Sequence, residues 1–154
     1  MYFFIVAALM VALPFASILL DMVLPSQPAP FMMLLGKWYV TWAVGVRLGL
    51  ADIRQILQPR YTAETLLGIK DPAAHLVVRE LGFANFSFGV LGMVSLFVPA
   101  WTIPAAIVGS LFYGLAGINH TLQPHRNKLE NVAMLSDLFA ALVLAIYWIW
   151  AIGR

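Results

Sequence analysis

One stretch limits what this chain can become. From Arg79 to Gly92 it reads RELGFANFSFGVLG, and the apolar run it opens continues to Pro99. Asn85 lies inside that run, with Gly82, Gly89 and Gly92 at spacings of three and four. That spacing puts all four on one face of an α-helix. The face offers small residues for close backbone contact, together with an amide that is costly to leave unpartnered in an apolar setting. Such a helix has to lie against another helix.

Composition decides the solvent. Of the 154 residues, 62% are hydrophobic and 10% charged, where soluble domains average about 25% charged. Mean hydropathy is +0.90. No chain this short hides so much apolar surface from water. Lipid therefore takes the place of solvent, and the expected fold is an all-α bundle of five transmembrane helices, a single domain over residues 1–154. With no Cys, disulfides, thiolate metal sites and thiol nucleophiles are excluded. The net charge of +2 comes without a basic run to hold phosphates, so nucleic acid is not an expected partner.

In chain order the helices are expected at about 1–24, 31–57, 72–98, 103–121 and 128–152. The first run is apolar except for Ser17 and Asp21. It is longer than a signal peptide and has no basic n-region, so it reads as a transmembrane helix, bent near Pro14. Pro25 to Pro30, PSQPAP, is a short turn. The second helix is the least apolar, with Lys37, Arg47 and Arg54. Thr62 to Gly68, inside the 58–71 loop, has room for an interfacial helical turn. Asp71-Pro72 reads as an N-cap with Pro at the first helical position. Ala106, Ser110 and Gly114, with Gly117 next, give the fourth helix a small-residue packing face. Asn127-x-x-Glu130 reads as a capping box opening the fifth.

Five spans define two sides. Arg54, Arg60, Lys70, Arg79, Arg126 and Lys128 fall on the side of the N-terminus, against Lys37 and Arg154 on the other. The positive-inside rule then predicts an N-in, C-out protein of the inner (plasma) membrane. Trp38, Trp42, Trp101, Trp148 and Trp150 gather at the opposite side, as an aromatic belt would.

Depth singles out the candidate site. At 1.5 Å per residue, Arg47, Asn85 and Asp137 lie about 13–15 Å in from the cytoplasmic ends of three helices. An Arg or Asp at that depth costs about 2.5–3.5 kcal/mol, so the two charges are expected to pair. Asp52, Glu80, Asn119, His120, Glu130 and Asn131 lie nearer the same surface. The expected ligand-binding set is Arg47, Glu80, Asn85, Asn119, His120, Asn131 and Asp137, around a cavity facing the cytoplasm. Were the protein an enzyme, Glu80, His120 and Asp137 would be its candidate catalytic acids and bases.

Each residue also has a plainer reading. Arg47–Asp137 can be a structural ion pair and Asn85 interhelical glue. Glu130 can serve only its capping box, and His120 the dipole at a helix C-terminus. Glu80 and Asn85, five apart, stand about 140° apart around the helix and face different neighbours. No metal-binding motif and no phosphate loop is present, so no metal site is expected, and no cofactor is identified.

The segment from about Ala51 to Asp137 resembles a family of small, uncharacterised bacterial multi-pass membrane proteins. The residues in question form an E-x-G-F-A-N-x-x-x-G-x-x-G helix: Glu80, Gly82, Phe83, Ala84, Asn85, Gly89 and Gly92. They are followed by His120, Asn131 and Asp137. A remoter likeness is to small membrane proteins of the DoxX type. The resemblance implies a location and a candidate site but no activity. Three classes therefore stay open. The first is a protein binding or transporting a small or lipid-like ligand, which the spread of polar groups over several helices favours. The second is an enzyme on a lipid-soluble substrate, and the third an accessory subunit of a larger membrane complex. The bilayer is the expected partner, and a homo-oligomer is expected of a transporter this small with no internal repeat.

Overall fold

Short polar links force successive apolar helices to be antiparallel neighbours. The computed structural model of the protein describes residues 2–26 and 29–154, apart from the side chain of Leu66. Residue 1 of the expected first helix, and residues 27 and 28 of the expected turn, lie outside them. The described residues are all-α. The helices are α1 (Tyr2–Val23), α2 (31–57), the short α3 (Tyr61–Leu66), α4 (Ala74–Val94), α5 (Thr102–Leu122) and α6 (Lys128–Ile152). A 3₁₀ turn, Pro99–Trp101, leads into α5.

Four stretches are long and apolar enough to cross a membrane: Tyr2–Val23, Ala74–Val94, Pro99–Leu122 and Lys128–Ile152. The chain therefore has the character of a multi-pass membrane protein. The fifth expected span, α2, is not among the four, because it holds Lys37, Arg47, Asp52 and Arg54. Yet α2 is the centre of the bundle. Leu34, Leu35, Tyr39, Val40, Ala43, Val44 and Leu48 are all buried, and α2 packs against α1, α4, α5 and α6. Arg47 and Asp52 are enclosed by protein, while Lys37 and Arg54, toward the two ends of the helix, are partly or fully exposed.

Two helices widen in mid-course into π turns, at Ala8–Ala12 in α1 and Val40–Leu48 in α2. The first lies directly before Pro14, where the sequence predicts a bend. Pro14 has no N–H to offer the Met10 carbonyl four residues back. The Tyr39 hydroxyl donates to that carbonyl instead, at 2.7 Å. In α2, the Tyr113 hydroxyl of α5 donates to the Ala43 carbonyl. Each buried tyrosine thus partners a backbone oxygen in a disturbed stretch of helix.

α4 meets α2 through glycine. A Cβ at Gly92 would stand 2.5 Å from the Gly45 nitrogen and 2.8 Å from its Cα, and one at Gly89 would stand 3.1 Å from the Gly49 nitrogen. Only hydrogen fits between backbones this close. At the other end of α1, Asp21 accepts from Lys37 Nζ at 2.7 Å and Trp38 Nε1 at 3.0 Å, fixing α1 against α2. In the loop after α2, Arg60 Nε donates to both Glu64 oxygens at 3.0 Å. That pairing holds the Glu64 carboxyl below its ordinary pKa range. Asp71 accepts from the Ala73 N–H at 2.9 Å, ordering the turn that precedes α4, but it is not the N-cap that the sequence suggests: α4 begins at Ala74, with Pro72 in the turn outside it. The capping box at Asn127 and Glu130 is complete.

Candidate functional site

Arg47 is placed by the π stretch of α2 and reaches α6. Its Nη2 donates to Asp137 Oδ1 at 2.7 Å and to Ser136 Oγ at 2.9 Å. The Ser136 hydroxyl in turn donates to the Ala133 carbonyl at 2.8 Å. Nη1 stands 3.8 Å from the Met10 sulfur, and the guanidinium lies 4.9 Å from the Tyr113 ring centroid. The side chains of Arg47 and Asp137 are only 12% and 10% exposed. Both charges are therefore in low dielectric, where a short charge-assisted bond is strong and an unpaired charge is very costly. Four helices, α1, α2, α5 and α6, converge on this pair. Met10, Tyr113 and Ser136 do not stand out in the sequence, because each is an unremarked member of an apolar run. The one available signal was Pro14, which announces an unpartnered carbonyl near Met10.

Asn85 points elsewhere, into the α2–α4 interface. Its Nδ2 donates to Gln55 Oε1 at 2.7 Å, while its Oδ1 is buried with no partner. Glu80 lies on the exposed face of α4, away from that interface, as the angle between the two positions requires. Asn131 is also exposed, and its Oδ1 accepts from Arg126 Nε at 3.1 Å. Arg126 is engaged again at the end of α5, where Nη1 donates to the carbonyls of His120, Thr121 and Gln123 at 2.8–3.0 Å. The cation that closes the α5 C-terminus is thus Arg126.

Asn119 and His120 open onto a cavity of about 640 Å³ between α4, α5 and the loop after α3. Leu67, Ile69, Leu81, Phe112, Leu115 and Ala116 form its apolar wall, and Asn119, His120 and Gln123 its polar end. His120 Nδ1 is buried without a hydrogen-bond partner among the described residues. A second cleft, about 380 Å³, runs between α2 and α4 past Gly45, Gly49 and Asp52. Neither cleft is lined by Arg47 or Asp137. Among the described residues, no hydrogen bond or ion pair joins Glu80, His120 and Asp137. No group of three or more His, Asp or Glu among them is placed to hold a metal ion.

The seven expected residues thus fall into four places: the Arg47–Asp137 pair, the Asn85 contact, the His120 cavity with Asn119, and the exposed positions of Glu80 and Asn131. No curated protein and no solved structure matches the chain, and nothing links it to DoxX-type proteins. A family profile does match, over residues 1–152. An apolar all-α chain that this profile covers almost from end to end belongs to DUF6790, a family of unknown function.

Proposed function

We propose that the protein binds a lipid-like, amphipathic ligand in the cavity between α4 and α5, as a five-span, N-in/C-out protein of the plasma membrane. The observation that supports this reading is the division of that cavity. Its walls are apolar and its one polar end gathers Asn119, His120 and Gln123, with a buried imidazole nitrogen left unpartnered. A pocket that is mostly apolar with a few convergent polar groups is the usual form of a small-molecule site. Here the polar groups suit a head group and the walls an alkyl tail. On the positive-inside argument the polar end faces the cytoplasm, with Arg126 held there on the carbonyls of His120 and Gln123.

The Arg47–Asp137 pair has a different role in this reading. Its groups are already engaged with Ser136, Met10 and Tyr113, so the pair fixes the bundle and leaves the ligand to the cavity. Whether the protein passes the ligand on, alone, as a homo-oligomer or as a subunit of a larger complex, is a further step of the same proposal.

The test is chemical analysis of what co-purifies. The wild-type protein in mild detergent should retain an amphiphile detectable by mass spectrometry after extraction. Ala116→Phe, which fills the cavity, should lose it, and His120→Leu should weaken its retention. Equal retention in wild type and Ala116→Phe would reject the reading.

A further inference from the structure

The interface between α2 and α4 holds two buried oxygens with nothing to accept from. Asp52 is 1% exposed and Asn85 is 2% exposed. Among the described residues, Asp52 Oδ2 and Asn85 Oδ1 both lack a hydrogen-bond partner. Register puts them at one level. Gly92 packs on Gly45, Gly89 on Gly45 and Gly49, and Gly82 on Gln55 and Ile56. Along this antiparallel pair Asn85 therefore comes opposite the turn of α2 that holds Asp52. Gln55, one turn further on, engages the Asn85 amide nitrogen, and the amide oxygen stays unsatisfied among the described residues.

Asp52 is also part of the wall of the 380 Å³ cleft, with Gly45, Gly49, Phe86, Val90 and Met93. Its Oδ2 leans back over Gly49, 3.9 Å from where a Cβ would stand there. The cleft is open sideways: Val90 and Met93 are exposed on the lipid-facing surface of α4. So a groove with apolar walls ends at an acidic side chain that, among the described residues, forms no ion pair. The cations nearest in sequence are occupied elsewhere. Arg47 is paired with Asp137, and Arg54 lies on the Tyr61 ring at 4.6 Å.

We propose that this groove binds an amphiphile with a protonated primary amine head and a single alkyl chain. The site requires donors and a positive charge, and it offers acceptors only. An ammonium group brings three donors, no acceptor and one positive charge. It can donate to Asp52 Oδ2 and Asn85 Oδ1 together, removing two buried unsatisfied acceptors and one unpaired buried acid. A carboxylate or phosphate head would add acceptors and repulsion. An inorganic cation would find two free oxygens where such ions take about six, and would leave the apolar groove without a purpose. The alkyl chain covers the wall that Gly45 and Gly49 leave low. Asp52 and Gly45 are seven residues apart, which gives the chain roughly 10 Å of helix to lie along. This site is separate from the His120 cavity and stands whether or not that cavity holds a ligand.

The experiment uses the full chain in phosphatidylcholine nanodiscs, with dodecylamine as probe and dodecanol and dodecanoate as controls, read by thermal unfolding at increasing probe concentration. Dodecylamine should raise Tm saturably, with dodecanol at least ten-fold weaker and dodecanoate without effect. Asp52→Asn should weaken the amine at least ten-fold. Val90→Trp closes the groove from an exposed position without touching the polar pair, and should abolish binding while leaving the unliganded Tm near wild type. Should Asp52→Asn fail to fold, Val90→Trp and the comparison of amine with alcohol on the wild-type protein still decide the matter. The proposal is overturned if dodecanol matches the amine, if Val90→Trp or Asp52→Asn binds as the wild type does, or if sodium chloride alone gives the same rise. Ala116→Phe should bind the amine normally, and loss there would move the amine to the His120 cavity and overturn this assignment.

Discussion

The Arg47–Asp137 pair gives the sharpest energetic test. In Asp137→Asn, Arg47 keeps its charge at a site that is nearly closed to water, but retains Ser136 Oγ, the Met10 sulfur and the Tyr113 ring. Breaking a buried pair by removing one partner costs about 3–5 kcal/mol, and these surviving contacts place the loss near the lower end. In Arg47→Gln the carboxylate loses its single short charge-assisted bond, so the loss should fall in the middle of the same range, about 4 kcal/mol. The double variant has no buried charge left and should lose no more than the weaker single variant. The coupling should therefore be at least about 3 kcal/mol, well above the roughly 0.6 kcal/mol that polar pairs between membrane helices average. Unfolding by SDS in mixed micelles, followed by the fluorescence of the five tryptophans, measures all three variants against wild type. Losses that add to within about 0.5 kcal/mol would show that the two groups are not energetically joined, and would refute the reasoning.

Other expectations follow from single contacts. Gly92→Leu should destabilise the protein by more than the 1–3 kcal/mol or so typical of overpacking, since even its Cβ meets the Gly45 backbone, while Leu91→Ala should cost less; equal Tm values would mean that α2 and α4 are not in backbone contact. Tyr39→Phe should cost about 1–3 kcal/mol by leaving the Met10 carbonyl unpaired, and adding Pro14→Ala, which restores a helical N–H, should recover most of it in the same unfolding assay. Topology is accessible to cysteine labelling, because the natural chain has no Cys: Thr65→Cys, exposed in the loop region where Ala63 is buried, should react from the cytoplasm and Ser26→Cys from outside, and the reverse pattern would invert the proposed orientation.

Helix positions were legible because each helix in this chain announces its ends. Pro99, Asp71, the Asn127–Glu130 box and the charged loops mark boundaries by local chemistry, which does not depend on tertiary context. The Gly82–Asn85–Gly89–Gly92 face was legible for the same reason: a small-residue stripe with an amide has few uses besides a helix contact. The grouping of polar residues was much less so. Depth along a helix is read from a residue count, and it put Arg47, Asn85 and Asp137 at one level. The direction around the bundle depends on which helix neighbours which, and a single sequence does not state that. So Arg47 and Asp137 meet, while Asn85 faces Gln55 and Glu80 faces outward. The π turns at Ala8–Ala12 and Val40–Leu48 add to the difficulty, since each widened turn rotates everything after it relative to an ideal helix.

The same geometry accounts for the odd composition of α2. A hydropathy window measures how well a segment suits lipid, whereas the middle of α2, from Leu34 to Leu48, is largely buried against its neighbours and needs to suit them. Its charges are matched from outside the helix: Lys37 by Asp21 of α1, Arg47 by Asp137 of α6, Arg54 by the ring of Tyr61 in α3. Asp52 breaks this pattern. It lies on the same helix, is as deeply buried as any of them, and has no ion-pair partner among the described residues. In a helix where the other charges are answered by the protein, the unanswered one is the position at which an outside partner has the most to contribute.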